Sequence, residues 1–282
     1  GIIRIANATA LGNTAAGTVV ANLATLQVDG NITVGAEALS INGYGDGTNG
    51  SLRSISASNT YGGPITLTGE ARINSDAGTF TLTSAATINT TASAYSLTFG
   101  GAANTSASGI ITGAASLNKD GLGTLILNAA NTYTGATNIT SGIVQVQNSN
   151  ALGSQIAGTG SSNTIVSDGA AIQIFGSSIN IPEAISIYGM GLSSGGAIRN
   201  FTGSTGVNSL SNTVTLNSNA RINVDAGTLS MTNATAAIAF GTYSLSAGVT
   251  SNTNFNISGL LTGSGALTKD NDGTITLSGA NT

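Results

Sequence analysis

The chain has 282 residues, of which 6% are charged and 4% aromatic, with 40 glycines, two prolines and no Cys, His or Trp. Without Cys there are no disulfides and no thiolate metal sites, and without His the commonest general base and metal ligand is missing. A net charge of −4 with seven scattered basic residues leaves no electrostatic footprint for nucleic acid, and no apolar run approaches the roughly 20 residues of a membrane helix.

Ile, Leu and Val recur steadily through a background of Ser, Thr, Asn and Ala, so the composition is not that of a disordered chain. Large side chains are so few that any core must be narrow. The chain opens at Gly1 without Met, which reads as a processed or excised segment.

Taken in chain order, short runs alternate apolar and polar residues. They are Leu26–Val28, Ile32–Val34, Leu39–Ile41, Ile65–Leu67, Arg72–Ser75, Phe80–Thr83, Tyr95–Phe99, Thr124–Leu127 and Ile143–Val146. Period-2 alternation is the strand signal, and the Gly, Asn, Asp and Ser clusters between the runs are turn chemistry. No window carries a helical apolar face.

The runs belong to a longer repeat. Gly1–Gly12 matches Gly142–Gly153, Glu37–Ile41 matches Glu183–Ile187, and Ala71–Leu82 matches Ala220–Met231. Gly109–Thr132 matches Gly259–Thr282. The separations run from 141 to 150 residues, and small insertions at turns account for the drift. The sequence therefore divides into a first unit over 1–141 and a second over 142–282, expected to form one continuous body.

Two all-β arrangements compete. A pair of β-sandwich domains needs wide faces and large core residues. A right-handed parallel β-helix suits strands that each offer one or two aliphatic side chains around a thin core. With rungs of roughly 20–25 residues stacked about 4.8 Å apart, it predicts about 12 rungs and a rod of roughly 55–60 Å. Aliphatic residues stack inside, and Asn and Thr form ladders near the turns. This all-β solenoid is the expected fold.

The stretch from Leu117 to Gly142 resembles the passenger-associated transport repeat of bacterial autotransporters. The residues that carry the resemblance are Leu117, Asn118, Lys119, Gly121, Gly123, Thr124, Leu125 and Leu127, then Ala130, Asn131, Tyr133 and Gly135, then Gly142. Ala129 stands where the pattern has Gly. The second copy offers Leu267, Thr268, Lys269, Gly273, Thr274, Ile275, Leu277 and Gly279–Thr282, with Asn271 and Asp272 ahead of its single Gly273. The resemblance implies a long, secreted, surface-exposed β-helix on a bacterial cell, exported through a translocation pore.

Candidate chemistry is sparse. Gly45–Gly50 fits the spacing of a dinucleotide-binding glycine motif, but Ser51–Ser56 after it reads as a strand where that motif needs a helix, so a turn is expected. Of the eleven carboxylates, Glu37 with Glu183, Asp76 with Asp225 and Asp120 with Asp270 recur in both copies, as do Arg53 with Arg199, Arg72 with Arg221 and Lys119 with Lys269. A catalytic pair is normally singular, whereas structural pairs recur with the unit. Arg72 with Asp76, and Lys119 with Asp120, therefore read as turn or edge pairs. The six tyrosines read as turn packing. No catalytic, cofactor-binding or metal-ligating residue is assigned.

The expected function is a non-enzymatic extracellular stalk or fibre. The rivals are an adhesin that binds host or matrix glycans and a polysaccharide-cleaving enzyme. The expected partners are further rungs, either from a longer chain or by end-to-end self-association, and surface glycans. Neither terminus resembles the cap an open solenoid edge needs.

Overall fold

The computed structural model describes residues 1–90, 95–154, 163–201 and 203–281. Thr282, the final residue of the second motif copy, lies outside them. The described chain is all-β, a parallel β-solenoid of about 11 turns. Its only helical elements among the described residues are two short 3₁₀ turns, Asp46–Thr48 and Leu192–Ser194. Two compact units span Gly1–Thr137 and Asn138–Thr282.

In the first unit each turn visits three faces. One face stacks Ile2–Ile5, Thr25–Val28, Leu52–Ser54, the second half of Ile65–Ser75, Leu97–Gly100 and Leu117–Lys119. A second stacks Thr18–Val20, Leu39–Gly43, the first half of Ile65–Ser75, Ile88–Asn89 and Ile111–Thr112. A third stacks Thr33–Val34, Asn59–Tyr61, Thr79–Leu82, Asn104–Ala107 and Thr124–Leu127. Every ladder described is parallel, which excludes the sandwich arrangement, since sandwiches are built from antiparallel sheets.

The second unit repeats the plan. Its first face runs through Ile143–Val146, Ala171–Ile174, Ile198–Asn200, the end of Val214–Val224, Leu245–Val249 and Leu267–Asp270. Its third runs through Asn180–Ile181, Val207–Leu210, Thr228–Met231, Asn254–Ile257 and Thr274–Leu277. Successive partners on the first face lie between 20 residues apart (Phe99 to Lys119) and 28 (Val144 to Ile172).

Parallel in-register stacking turns the alternation along each strand into columns running across strands. Leu26, Leu52, Ile73 and Phe99 form one inward column of the first unit. Val144, Ile172, Ile198, Ile222 and Ala247 form its counterpart in the second. All of these residues are buried. Burying each Val, Leu, Ile or Phe among them contributes about 1.5–3 kcal/mol. The core is therefore a set of one-residue-wide columns, which is how so few large side chains suffice.

Buried asparagines close the corners. Asn59 Oδ1 accepts from the Ile32 amide at 2.9 Å, while its Nδ2 donates to the carbonyl oxygens of Val28 and Ser56. Asn208 repeats this with the Ile179 amide and the Gly176 carbonyl. The side chain satisfies backbone groups that the bend takes out of the ladder, and leaving such groups unsatisfied costs about 1–3 kcal/mol each.

Candidate functional site

The chemistry-bearing residues fall into three settings. The first is the repeated motif. Leu117, Leu125 and Leu127 point inward and are buried. Asn131 Oδ1 accepts from the Ile111 amide at 2.9 Å, the same corner device as Asn59. The buried Tyr133 hydroxyl shares a 2.6 Å bond with Thr137 Oγ1. The motif glycines mark close approach between rungs. A Cβ at Gly121 would lie 2.2 Å from the Gly101 oxygen, one at Gly123 1.9 Å from that of Ala103, and one at Gly135 2.2 Å from that of Ala115. These leucines, glycines, Asn131 and Tyr133 thus have stacking or corner roles.

Lys119 is placed differently from the expected turn pair. Its parity with Leu117 turns it inward, at the end of the Leu26–Phe99 column, and only 3% of it is exposed. Its amine donates to the Gly121 carbonyl. Burial pushes the amine down to about 8; the adjacent Asp120 pulls it up, and Arg72 lowers it further. Lys269, at the same place in the second copy, is exposed and donates to Asn271 O at 2.5 Å. Asn271 occupies the place of Gly121 and holds φ of 66°, a left-handed conformation that Asn tolerates better than most residues.

The second setting is the ion pairs. Arg72 bonds Asp120 at 2.5 Å, and Arg221 bonds Asp270 at 2.6 Å. Asp76 bonds Arg53 instead, at 2.6 Å, and also accepts from Asn74. Asp225 bonds Arg199 in the same way. The expected Arg72–Asp76 pair is thereby corrected. The partner lies one or two rungs away because on a solenoid the spatial neighbour is a full turn off in sequence. Asp29 bonds Arg4 and Ser56, and these contacts, the Ser56 hydroxyl first, hold its carboxyl below the usual range.

The third setting is the buried glutamates. Glu37 and Glu183 each precede a strand of the second face. Thr18 Oγ1 donates to Glu37 Oε1 at 2.7 Å, and Thr164 Oγ1 to Glu183 Oε2 at 2.9 Å. The other oxygen of each carboxyl is buried with no partner among the described residues. Burial pushes Glu183 up to about 8, against the pull of Thr164. Tyr61 donates to the Glu37 carbonyl at 2.7 Å, and burial, reinforced by the Glu37 charge, raises its hydroxyl. These carboxyls fasten corners to neighbouring rungs.

Gly45–Gly50 closes a short turn, with the Gly50 amide on the Tyr44 carbonyl at 2.7 Å, and the strand Leu52–Ser54 follows. A dinucleotide site would need a helix there. Among the described residues no three His, Cys, Asp or Glu side chains come together as a metal cluster. No described helix is long and apolar enough to cross a membrane.

Sequence reasoning missed one further cluster, on the outside of the second unit. Phe175 and Phe201 follow paired strands, and their ring centroids lie 6.3 Å apart at a 49° tilt. Arg199 sits 5.0 Å over the Phe201 ring. Their counterparts in the first unit are Asp29, Ile55 and Arg53, so the only signal was a change of chemistry between aligned copies.

Residues 117–146 and 267–282 match the passenger-associated-transport-repeat family. No curated protein and no solved structure matches the chain.

Proposed function

We propose that this chain, which carries two passenger-associated-transport-repeats on a parallel β-solenoid, serves as a non-enzymatic structural segment of a bacterial surface passenger, a stalk or fibre outside the cell. One observation carries the reading: in the first copy, the leucines, the glycines, Asn131 and Tyr133 of the motif are engaged in stacking rungs or closing corners. The inward leucines build columns, the glycines admit the neighbouring carbonyls, and Asn131 and Asn281 take up the amides of Ile111 and Leu261. A sequence repeated for such roles specifies a scaffold that lengthens by adding turns.

Small-angle scattering on the purified chain tests the reading. A rod-like cross-section at low angle, unchanged on dilution, is the expected result. A globular profile would rule out the stalk. Electron microscopy of the native material then separates single rods from filaments assembled end to end.

A further inference from the structure

The outer side of the Asn138–Thr282 unit departs from its twin in one place. On the first face, the outward column of this unit runs Gln145, Gln173, Arg199. Gln145 donates to Gln173 Oε1 at 3.4 Å, and Gln147 donates to Gln145 at 2.8 Å. Just past the strand ends, Phe175 and Phe201 stand on consecutive rungs. Phe175 is 36% exposed. The backbone makes room for it: a Cβ at Gly203 would lie 2.7 Å from its ring.

The turn Leu192–Ser194 folds over this face and leaves a shallow cleft of about 160 Å³. That is room for about five waters at ~30 Å³ each. Gln173, Arg199, Leu192 and Ser193 line it. Gln173 is 93% buried, and its amide nitrogen has no protein partner among the described residues, so a polar group is held ready at the cleft. Ser193 holds φ of 51°; Ser194, at 58°, matches Thr48 of the twin turn at 67°. Non-glycine residues in that region cost about 1–3 kcal/mol each and persist where surrounding structure enforces them, often at ligand sites. The twin turn has Gly47 in place of Ser193 and Asp46 in place of Leu192.

The first unit closes the same face with charge. Asp29 bonds both Arg4 and Ser56 there. The second unit offers the exposed Phe175 ring, with Phe201 beside it under Arg199, an exposed leucine and a row of amides. Arg199 is already neutralised by Asp225, so the patch carries no free positive charge. With a chain net charge of −4, an anionic ligand is disfavoured. Two rings and one leucine are too little apolar area to hold a lipid surface. Aromatic faces beside amides that both donate and accept suit a ligand with apolar ring faces and many hydroxyls.

We infer that Phe175, Phe201, Gln173, Arg199 and Leu192 form a binding site for a neutral polysaccharide on the side of the scaffold. The full chain is titrated calorimetrically with soluble neutral β-glucan, α-glucan, galactomannan and xylan, and with polygalacturonate and heparin as anionic probes. Binding of at least one neutral polymer is expected, little affected by salt and weakened at least tenfold in Phe175→Ala and in Leu192→Asp. The second variant installs the residue of the twin turn and guards against misfolding of the first. Absence of binding to every neutral polymer overturns the inference. So does binding to the anionic probes alone, or neutral binding that both variants leave intact. The scattering test of the stalk is independent of each of these outcomes.

Discussion

Arg72 reaches across an entire rung to bond Asp120, 48 residues further along, and passes over Gly100 to do so. A Cβ at Gly100 would lie 1.9 Å from the guanidinium. Arg221 and Asp270 repeat the arrangement over Gly248, where a Cβ would lie 2.3 Å from the Arg221 guanidinium. Ser246 of the intervening rung joins by donating to Asp270 at 2.7 Å, and with Arg221 it holds that carboxyl below its usual range. Three successive rungs are thus tied on the outside by one ion pair whose span requires a glycine in the middle.

Gly100→Ala should therefore act through Arg72. The backbone at Gly100 is in a region open to any residue, so the new methyl simply displaces the guanidinium. Asp120 is part-exposed, which limits the loss to about 1 kcal/mol. In an Arg72→Ala background the same glycine substitution should cost less, because only the Asn74 side chain, whose Oδ1 lies 2.6 Å from the Cβ position, then has to give way. Urea midpoints for the four proteins of this double-mutant cycle check it, and equal costs in both backgrounds would refute the coupling.

The repeat, the strands and the columns were readable in the sequence because all three follow from local periodicity. Leu39–Ile41, Thr124–Leu127 and Ile143–Val146 each fall on a strand of the solenoid. The charge partners were not readable in this way. Arg72 and Asp76 are four apart and look like a pair, yet a solenoid brings together residues a turn or two away, and turn lengths on the first face alone vary from 20 to 28 residues. Lys119 could have been placed from its parity with Leu117, since alternation sends both inward. Its charge argued for the surface and hid that signal. Phe175 and Phe201 became visible only once the copies were aligned by their ladders.

Gly123→Ala should be among the most damaging single substitutions in the first unit. The added Cβ would meet the Ala103 carbonyl at 1.9 Å, and that carbonyl belongs to the backbone of the rung beneath. Relief requires the rungs to separate, at about 2–4 kcal/mol. Gly35→Ala is the control. Nothing lies within 4 Å of its Cβ position, and its backbone is not left-handed, so a change under about 0.5 kcal/mol is expected. Chemical denaturation of both variants measures the contrast.

Lys119→Met should stabilise the protein at neutral pH. The folded amine has its pKa lowered to about 8, against 10.5 for the free group. Below about 8 the folded state carries a buried charge at full cost. Between about 8 and 10.5 the unfolded chain binds the extra proton, so stability of the unmodified protein rises with pH there. The gain from Met is expected at about 1–2 kcal/mol at pH 7, because the lost bond to Gly121 offsets part of it, and should shrink as pH rises from about 8 to 10.5. A gain that is the same at pH 7 and pH 10.5 would contradict this account of Lys119.

Glu183 imposes the opposite slope at lower pH. Its folded carboxyl titrates near 8, and the unfolded one near 4.5. From about 4.5 to about 8 the folded state holds a proton that the unfolded state has released, so stability falls as pH rises through that window. The fall follows roughly 1.4 kcal/mol per pH unit of difference, reduced by any relaxation around the site, and amounts to a few kcal/mol. Above about 8 the folded carboxylate ionises and the slope ends. Glu183→Gln keeps the shape of the side chain and removes the proton. Thr164 retains an oxygen to bond, so folding is expected at every pH. Urea midpoints measured from pH 4 to pH 9 should decline across the window for the parent and stay nearly level for the variant. Two curves that remain parallel would show that the buried oxygen of Glu183 is not the source of the pH dependence.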